Sequence, residues 1–267
     1  MATNPPSIKA TAGLFSEVEG YRFITLEEVD STNEEARRHA VSGDIDPPLW
    51  IRALRQSAGR GRRGRQWNTG SGNIAASLLL SPGVNAEAAA RLSFVAALAV
   101  YDMLSDFLPT APLGLKWPND VLVGNKKISG ILLEAGSEAS ANELAWLVIG
   151  IGVNVTSHPE GTPYPATHLH EHLTGESLPD AEACFTKLAA WFDQWLSLWR
   201  AQGFGPIREA WLVRALGIGA EITIRLPNEE FTAFFETLDE AGNLVLKTAQ
   251  GEKRIIGAGE VYFPVSL

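Results

Sequence analysis

The run Gly59-Arg60-Gly61-Arg62-Arg63-Gly64-Arg65-Gln66-Trp67 places four arginines and three glycines in nine residues, a composition of neither helix nor strand. Glycine permits positive φ and close backbone approach. Arginine carries a rigid fork of donors matched to phosphate and carboxylate. A loop with both can close over an anion and surround it with backbone N–H groups and guanidiniums. The flanks are apolar: Leu49-Trp50-Ile51-Arg52-Ala53-Leu54 before the loop and residues 73–80 after it. Both read as strands, so a sheet anchors the loop at its two ends. The other reading is a sequence-tolerant RNA-binding tract, but such tracts usually lie in low-complexity tails, not between apolar runs.

Charge bears on that choice. The 267-residue chain has a net charge of −9, which argues against a general nucleic-acid binder. Six of its 22 Lys and Arg residues fall between Arg52 and Arg65, a local positive patch suited to a small anionic ligand. The one cysteine, Cys184, excludes an internal disulfide or a Cys-rich metal site and reads as a small core residue. No signal-peptide pattern and no 18-residue apolar run stand out, so the expected location is cytoplasmic, with no membrane partner.

Residues 1–20, with Pro5-Pro6, read as a loose tail with at most a helical turn. A strand is expected over 21–26. Asp30-Ser31-Thr32-Asn33-Glu34-Glu35 has capping-box spacing and opens a helix to about 41, with Ser31 and Thr32 either as caps or as part of a polar ligand site. Residues 86–107 read as one buried helix and 113–117 as a strand. Gly124-Asn125-Lys126-Lys127 reads as a hairpin turn, and 144–155 as a long apolar strand. His158, His168, His170 and His172 lie in an expected surface loop; the H-x-H-x-H spacing is read as lacking an acidic or thiol partner, against a metal site. Asp180 caps a helix to about 200 whose Trp191, Trp195 and Trp199 read as core, and a short helix covers 206–215. Beyond 216, evenly spaced short strands suggest a small barrel.

Asp30-Ser31-Thr32-Asn33, Gln56 through Trp67, Lys116-Trp117-Pro118-Asn119-Asp120, Lys127 through Glu134 and Ile149 through Asn154 occur in an order and spacing that resemble biotin protein ligase, over about residues 20–265. The resemblance implies an α+β fold: a mixed sheet with packed helices, like the class II aminoacyl-tRNA synthetase catalytic domain, plus a C-terminal SH3-like β-barrel. The expected units are 1–20 (tail), 21–216 (catalytic) and 217–267 (barrel). It implies activation of biotin by ATP to biotinyl-5′-AMP, then transfer to a lysine of a biotin carboxyl carrier protein such as that of acetyl-CoA carboxylase. Too few residues precede the first strand for a helix-turn-helix domain, so the monofunctional type is expected, without DNA; a homodimer is left open. The nearest rival is a lipoate–protein ligase. The rival from another class is a non-enzymatic nucleic-acid-binding protein.

By position, Lys127 matches the lysine that holds the biotin carboxylate and adenylate. Arg60, Gly61 and Arg62 match the loop closing over biotin and the acyl phosphate. Ser31, Thr32, Asn33, Gln56 and Gly130 match biotin-binding positions. Arg63, Arg65, Trp67, Lys116, Asn119, Gly150, Gly152 and Asn154 are assigned to the nucleotide, with loop support the other reading of Arg63 and Arg65, a loop anchor the favoured reading of Trp67, and Mg²⁺ the other reading of Asn119. Asp120 is expected either to hold Mg²⁺ or to cap a turn. Near the end, Gly259-Glu260-Val261-Tyr262-Phe263-Pro264 departs from the family pattern, which leaves the barrel's part in nucleotide binding open.

Overall fold

Residues 74–80, IAASLLL, are buried without exception, as a strand covered on both faces must be. That strand is central to an eight-stranded sheet. The computed structural model describes residues 8–9, 19–43, 48–136, 138–140, 143–162, 164–175 and 177–263. Its first ten strands are β1 (Ile8–Lys9), β2 (Arg22–Val29), β3 (Leu49–Gln56), β4 (Ile74–Leu80), β5 (Leu113–Lys116), β6 (Asp120–Val123), β7 (Lys126–Ala135), β8 (Glu138–Ser140), β9 (Glu143–Leu144) and β10 (Leu147–Val153). The large sheet runs β1-β2-β3-β4-β10-β7-β6-β5, and β8 pairs only with β9. β2 and β3 are parallel; the other neighbours are antiparallel, which gives the expected mixed sheet. β1 lies within the expected tail and pairs with Thr25 and Leu26, so two tail residues are strand rather than coil or helical turn. The rest of 1–18 falls outside the described residues.

Helix α1 (Thr32–Ser42) covers one face, packing Ala36 and Ala40 on Leu26, Leu49, Ile51 and Leu79. The expected helix over 86–107 is two helices, α2 (Ala86–Ala90) and α3 (Leu92–Phe107). The break is at Arg91, whose N–H donates to Ala88 O at 3.2 Å, one residue short of the α-helical partner. Contrary to the reading of apolar runs, this stretch is long and apolar enough to cross a membrane, yet it is two-thirds buried inside the protein. Helices α4 (Ala181–Gln202) and α5 (Phe204–Arg214) complete this layer. Asp180 caps α4, its carboxylate accepting from Ala183 N at 2.7 Å. Trp50 on β3 meets Phe185 and Phe192 of α4 edge to face at 5.4 and 5.5 Å. The α4 tryptophans are only part-buried: the Trp191 and Trp195 indoles donate to Asp106 and Asp102 of α3. Cys184 is fully buried, and burial pushes its thiol up to about 12, so it is the expected inert core residue.

Three further expectations shift. The hairpin turn is shorter than expected, so Lys126 and Lys127 belong to β7; Gly124 at φ +57 lets β6 reverse within two residues. Of the long strand expected over 144–155, Leu147–Val153 forms β10, while Leu144 belongs to β9. The histidine-rich segment does contain an acid: Glu171 sits in the 3-10 turn Leu169–His172, with one carboxylate oxygen 3.7 Å from both His158 and His168.

The remaining strands, β11 (Glu221–Arg225), β12 (Glu230–Leu238), β13 (Leu244–Lys247), β14 (Lys253–Ile256) and β15 (Glu260–Tyr262), form a five-stranded antiparallel sheet ordered β14-β13-β12-β11-β15. It is fastened to the larger unit. The Trp117 indole donates to Gly242 O at 3.1 Å, and Arg208 Nε to Leu238 O at 2.8 Å. Ile222, Phe235 and Leu244 join the same buried cluster as Trp211 and Phe94.

Candidate functional site

Strand pairing brings the separated motifs together. The parallel register sets Val29 beside Gln56, so the turn into α1 adjoins the root of the Gly/Arg loop. Ser57 N and Ala58 N donate to Val29 O and Asp30 O at 2.9 and 2.8 Å. Across the sheet, Lys116 pairs with Asp120, Asp120 with Gly130, and Gly130 with Gly152. The result is one cavity of about 460 Å³. Every residue matched to the biotin, nucleotide or Mg²⁺ positions lines it except Arg63.

At the α1 end the lining is neutral and polar. Ser31, Thr32 and Asn33 are buried. Ser31 occupies the N-cap but makes no capping hydrogen bond, so the cap reading fails for its side chain. Thr32 N donates to Gln56 Oε1 at 2.8 Å, and Gln56 Nε2 donates to Thr69 Oγ1 at 2.9 Å. Ser77, fully buried on β4, donates to Asn33 Oδ1 at 2.6 Å; its oxygen is 2.8 Å from Thr32 Oγ1. Asn33 Nδ2 donates to Glu134 Oε2 at 2.7 Å. The Asn33 and Gln56 amides are thereby each held in one orientation.

The opposite side is cationic. Lys127 Nζ is 2.5 Å from Asp120 Oδ1 and 5.6 Å from the centre of the Trp67 ring. Lys116 is buried, with Nζ 4.6 Å from the centre of the Tyr164 ring. Burial pushes the Lys116 ammonium below its ordinary value, with Asp120 opposing and Lys127 reinforcing that shift. Trp67 lies against Gly152, where a Cβ would strike the indole, and so anchors the loop to β10.

The Gly/Arg loop is a closed hairpin. Trp67 N donates to Gly59 O at 2.9 Å and Gly61 N to Arg65 O at 2.7 Å, around a 3-10 turn at Arg62–Gly64. Arg63 takes φ +57, a left-handed conformation that non-glycine residues seldom adopt. Two carboxylates and one side-chain amide receive the guanidiniums. Arg60 donates to Glu34 at 2.9 Å, and Arg62 to Asn119 Oδ1 at 3.1 Å. Arg63 and Arg65 are 3.5 and 2.5 Å from Glu260. Burial lowers the Arg62 pKa, Asp120 partly offsetting it. Arg52 is not part of this patch: it faces Glu182 at 3.7 Å and the Phe185 ring. Asn154 is at the cavity wall, but its side-chain amide donates to Thr167 O at 3.0 Å and so holds the adjacent loop.

Sequence reading missed Ser77 and Tyr164, and noted Glu260 and Tyr262 only as part of a departure. Tyr164 stacks on Tyr262 with centres 5.2 Å apart, and the Tyr262 hydroxyl donates to Glu260 at 2.8 Å. The five-stranded sheet thus supplies a carboxylate and an aromatic ring to the loop.

Residues 26–154 match the biotin/lipoate A/B protein ligase family, and residues 217–263 match the biotin protein ligase C terminal domain. The biotin--[acetyl-CoA-carboxylase] ligase of Paracoccus denitrificans is 42% identical over 242 residues, 89% of this chain and 99% of that protein. The bifunctional ligase/repressor BirA of Bacillus subtilis is 32% identical over 250 residues, 92% of this chain and 75% of that one. The structure of biotin protein ligase from Aquifex aeolicus in complex with biotin and ATP superposes with a TM-score of 0.73 at 31% identity, covering 90% of this chain and 97% of that one.

Proposed function

The chain belongs to the biotin protein ligase family, and on that premise we propose how its cavity performs biotin ligation. The enzyme activates biotin with ATP, releasing pyrophosphate and forming biotinyl-5′-AMP, and then transfers biotin to a lysine. One observation carries the assignment of roles: neutral polar groups and cations held by Asp120, Asn119 and Glu260 face each other across a single cavity.

In this reading the uncharged ureido ring of biotin takes the α1 end, against Ser31, Thr32, Asn33 and Gln56, of which Thr32 and Gln56 hold each other and Asn33 is held by Ser77 and Glu134. The biotin carboxylate then points to Lys127 and the Gly/Arg loop. Its oxygen attacks the α-phosphorus of ATP and the pyrophosphate leaves. Both reactants are anions, so the barrier falls when Lys127, Arg62 and Lys116 neutralise the charge gathering between them. Arg60 and Gly61 complete the cover over the acyl phosphate, and Gly130 gives the ligand room beside Lys127. Arg65, Trp67, Asn119 and Gly152 serve the nucleotide side, Arg63 supports the loop through Glu260, and Gly150, expected on the nucleotide side, lies instead beneath Asn33 at the biotin end. Closure of the loop excludes water, which would hydrolyse the mixed anhydride. In the second step an uncharged lysine amine attacks the acyl carbon, AMP leaves, and the amine loses its proton.

The residues around Asp120 do not fit a protein-held Mg²⁺. Asp120 offers one carboxylate, already paired to Lys127, and Glu260 is tied to Arg65. We therefore assign Mg²⁺ to the ATP phosphates and Asp120 to holding Lys127 until substrate arrives. The acceptor in this proposal is a folded biotin carboxyl carrier domain, and the site of action is the cytoplasm.

Exchange of labelled pyrophosphate into ATP tests the reading. Biotin should drive exchange and lipoate should not; exchange with lipoate alone would replace the substrate class.

A further inference from the structure

The segment between β10 and α4 carries a cluster outside the cavity. His158 Nδ1 and His168 Nδ1 face each other at 2.8 Å. Glu171 Oε2 is 3.7 Å from each of them. These separations define a triangle whose centre lies about 2.0 Å from all three atoms, the length of Zn–N and Zn–O bonds. Two imidazoles alone would need only a shared proton to explain their approach. A carboxylate oxygen equidistant from both is a third donor on a common centre.

We propose that His158, His168 and Glu171 form a transition-metal site of the Zn²⁺ class, with a remaining position for water. Two nitrogen donors and one carboxylate suit Zn²⁺ and its neighbours and disfavour Mg²⁺ and Ca²⁺, which take oxygen ligands. The surroundings orient the carboxylate. The Thr167 hydroxyl donates to Glu171 Oε2 at 2.7 Å, and His172 Nε2, in its protonated tautomer, donates to Thr167 at 2.7 Å. Lys126 holds the other oxygen at 3.1 Å. Such outer contacts fix a ligand before the metal arrives. None of the three ligands lines the cavity.

The placement gives the site a consequence. His158 and His168 bracket the stretch that supplies Tyr164 and Ala166 to the cavity wall. An ion joining them closes that stretch at both ends and reduces the freedom of Tyr164, which faces Lys116 and Arg65. The site is thus a staple on the wall of the cavity, separate from the chemistry inside it.

The test is Zn²⁺ titration of the full chain without a histidine tag, against a chromophoric chelator. Wild type is compared with His158→Ala, His168→Ala, Glu171→Gln and, as control, His39→Ala, each checked for a cooperative melt. One equivalent should bind, the three ligand variants should weaken it by more than about tenfold, and His39→Ala should leave it unchanged. Zn²⁺ should raise the wild-type melting temperature and excess Mg²⁺ should not displace it. The partly exposed Glu171 is the variant least able to disturb folding, so its affinity decides if a histidine variant melts early. Wild-type affinity retained in Glu171→Gln, or no saturable binding to folded wild type, would reduce the cluster to a hydrogen-bonded histidine pair.

Discussion

Gly150 lies where β10 passes under the first turn of α1, and a Cβ there would strike the Asn33 side chain. Glycine is required by contact rather than by φ. Gly150→Ala should therefore destabilise the protein by about 1–3 kcal/mol and displace Asn33, with biotin affinity falling further than stability. Denaturant melts beside biotin calorimetry measure both. Ser77 acts through the same asparagine. Its removal in Ser77→Ala leaves Asn33 Oδ1 short of a donor in a buried site, a cost of about 1–3 kcal/mol. Biotin binding should weaken while the ATP KM stays near wild type; an equal change in both would mean that Ser77 supports the whole cavity rather than its α1 end.

At the scale of elements, the Gly/Arg loop is bound to the five-stranded sheet through Glu260. Burial opposes ionisation of that carboxyl, but hydrogen bonds from Arg65 and Tyr262, with the charges of Arg65 and Arg63, outweigh it and hold the pKa below the ordinary 4.5. A depressed carboxylate gives stability that is present above pH 4.5 and is lost as pH falls through the lower folded value. Protection against hydrogen exchange over residues 58–66, taken relative to the intrinsic rate at each pH, should therefore fall in acid in wild type, and Glu260→Gln should show that lower protection already at neutral pH. Parallel pH profiles for the two would dissociate the loop from Glu260. Such links also mark what the sequence could and could not show. The Arg-rich loop, Lys127 and the α1 turn were legible because each carries its chemistry in a few consecutive residues. Ser77 and Glu260 were not: Ser77 is one polar residue in an apolar strand, and only the register of β3, β4 and β10 sets it beneath Asn33. The break at Arg91 was hidden because no Gly or Pro marks it.

At the scale of the molecule, the five-stranded sheet shares one buried core with α3, α5 and the strand ends around Trp117. A chain ended at residue 216 should lose its cooperative thermal transition and the near-ultraviolet signal of its tryptophans, because Phe94, Trp117 and Trp211 would be uncovered. A cooperative melt of that fragment would make the sheet an accessory. The central claim is that this one cavity both makes biotinyl-AMP and retains it. Rapid mixing of enzyme, biotin and ATP, with the adenylate followed through formation and release, tests both parts at once. Wild type should form the adenylate and release it slowly. Lys127→Ala should form it about 10²–10³-fold more slowly, by loss of the charge that offsets the two anions. Arg62→Gly, which gives up the contact with Asn119, should still form it but release it faster and label bystander lysines. If all three proteins formed and released the adenylate at the same rates, neither Lys127 nor the loop would do what is claimed for it.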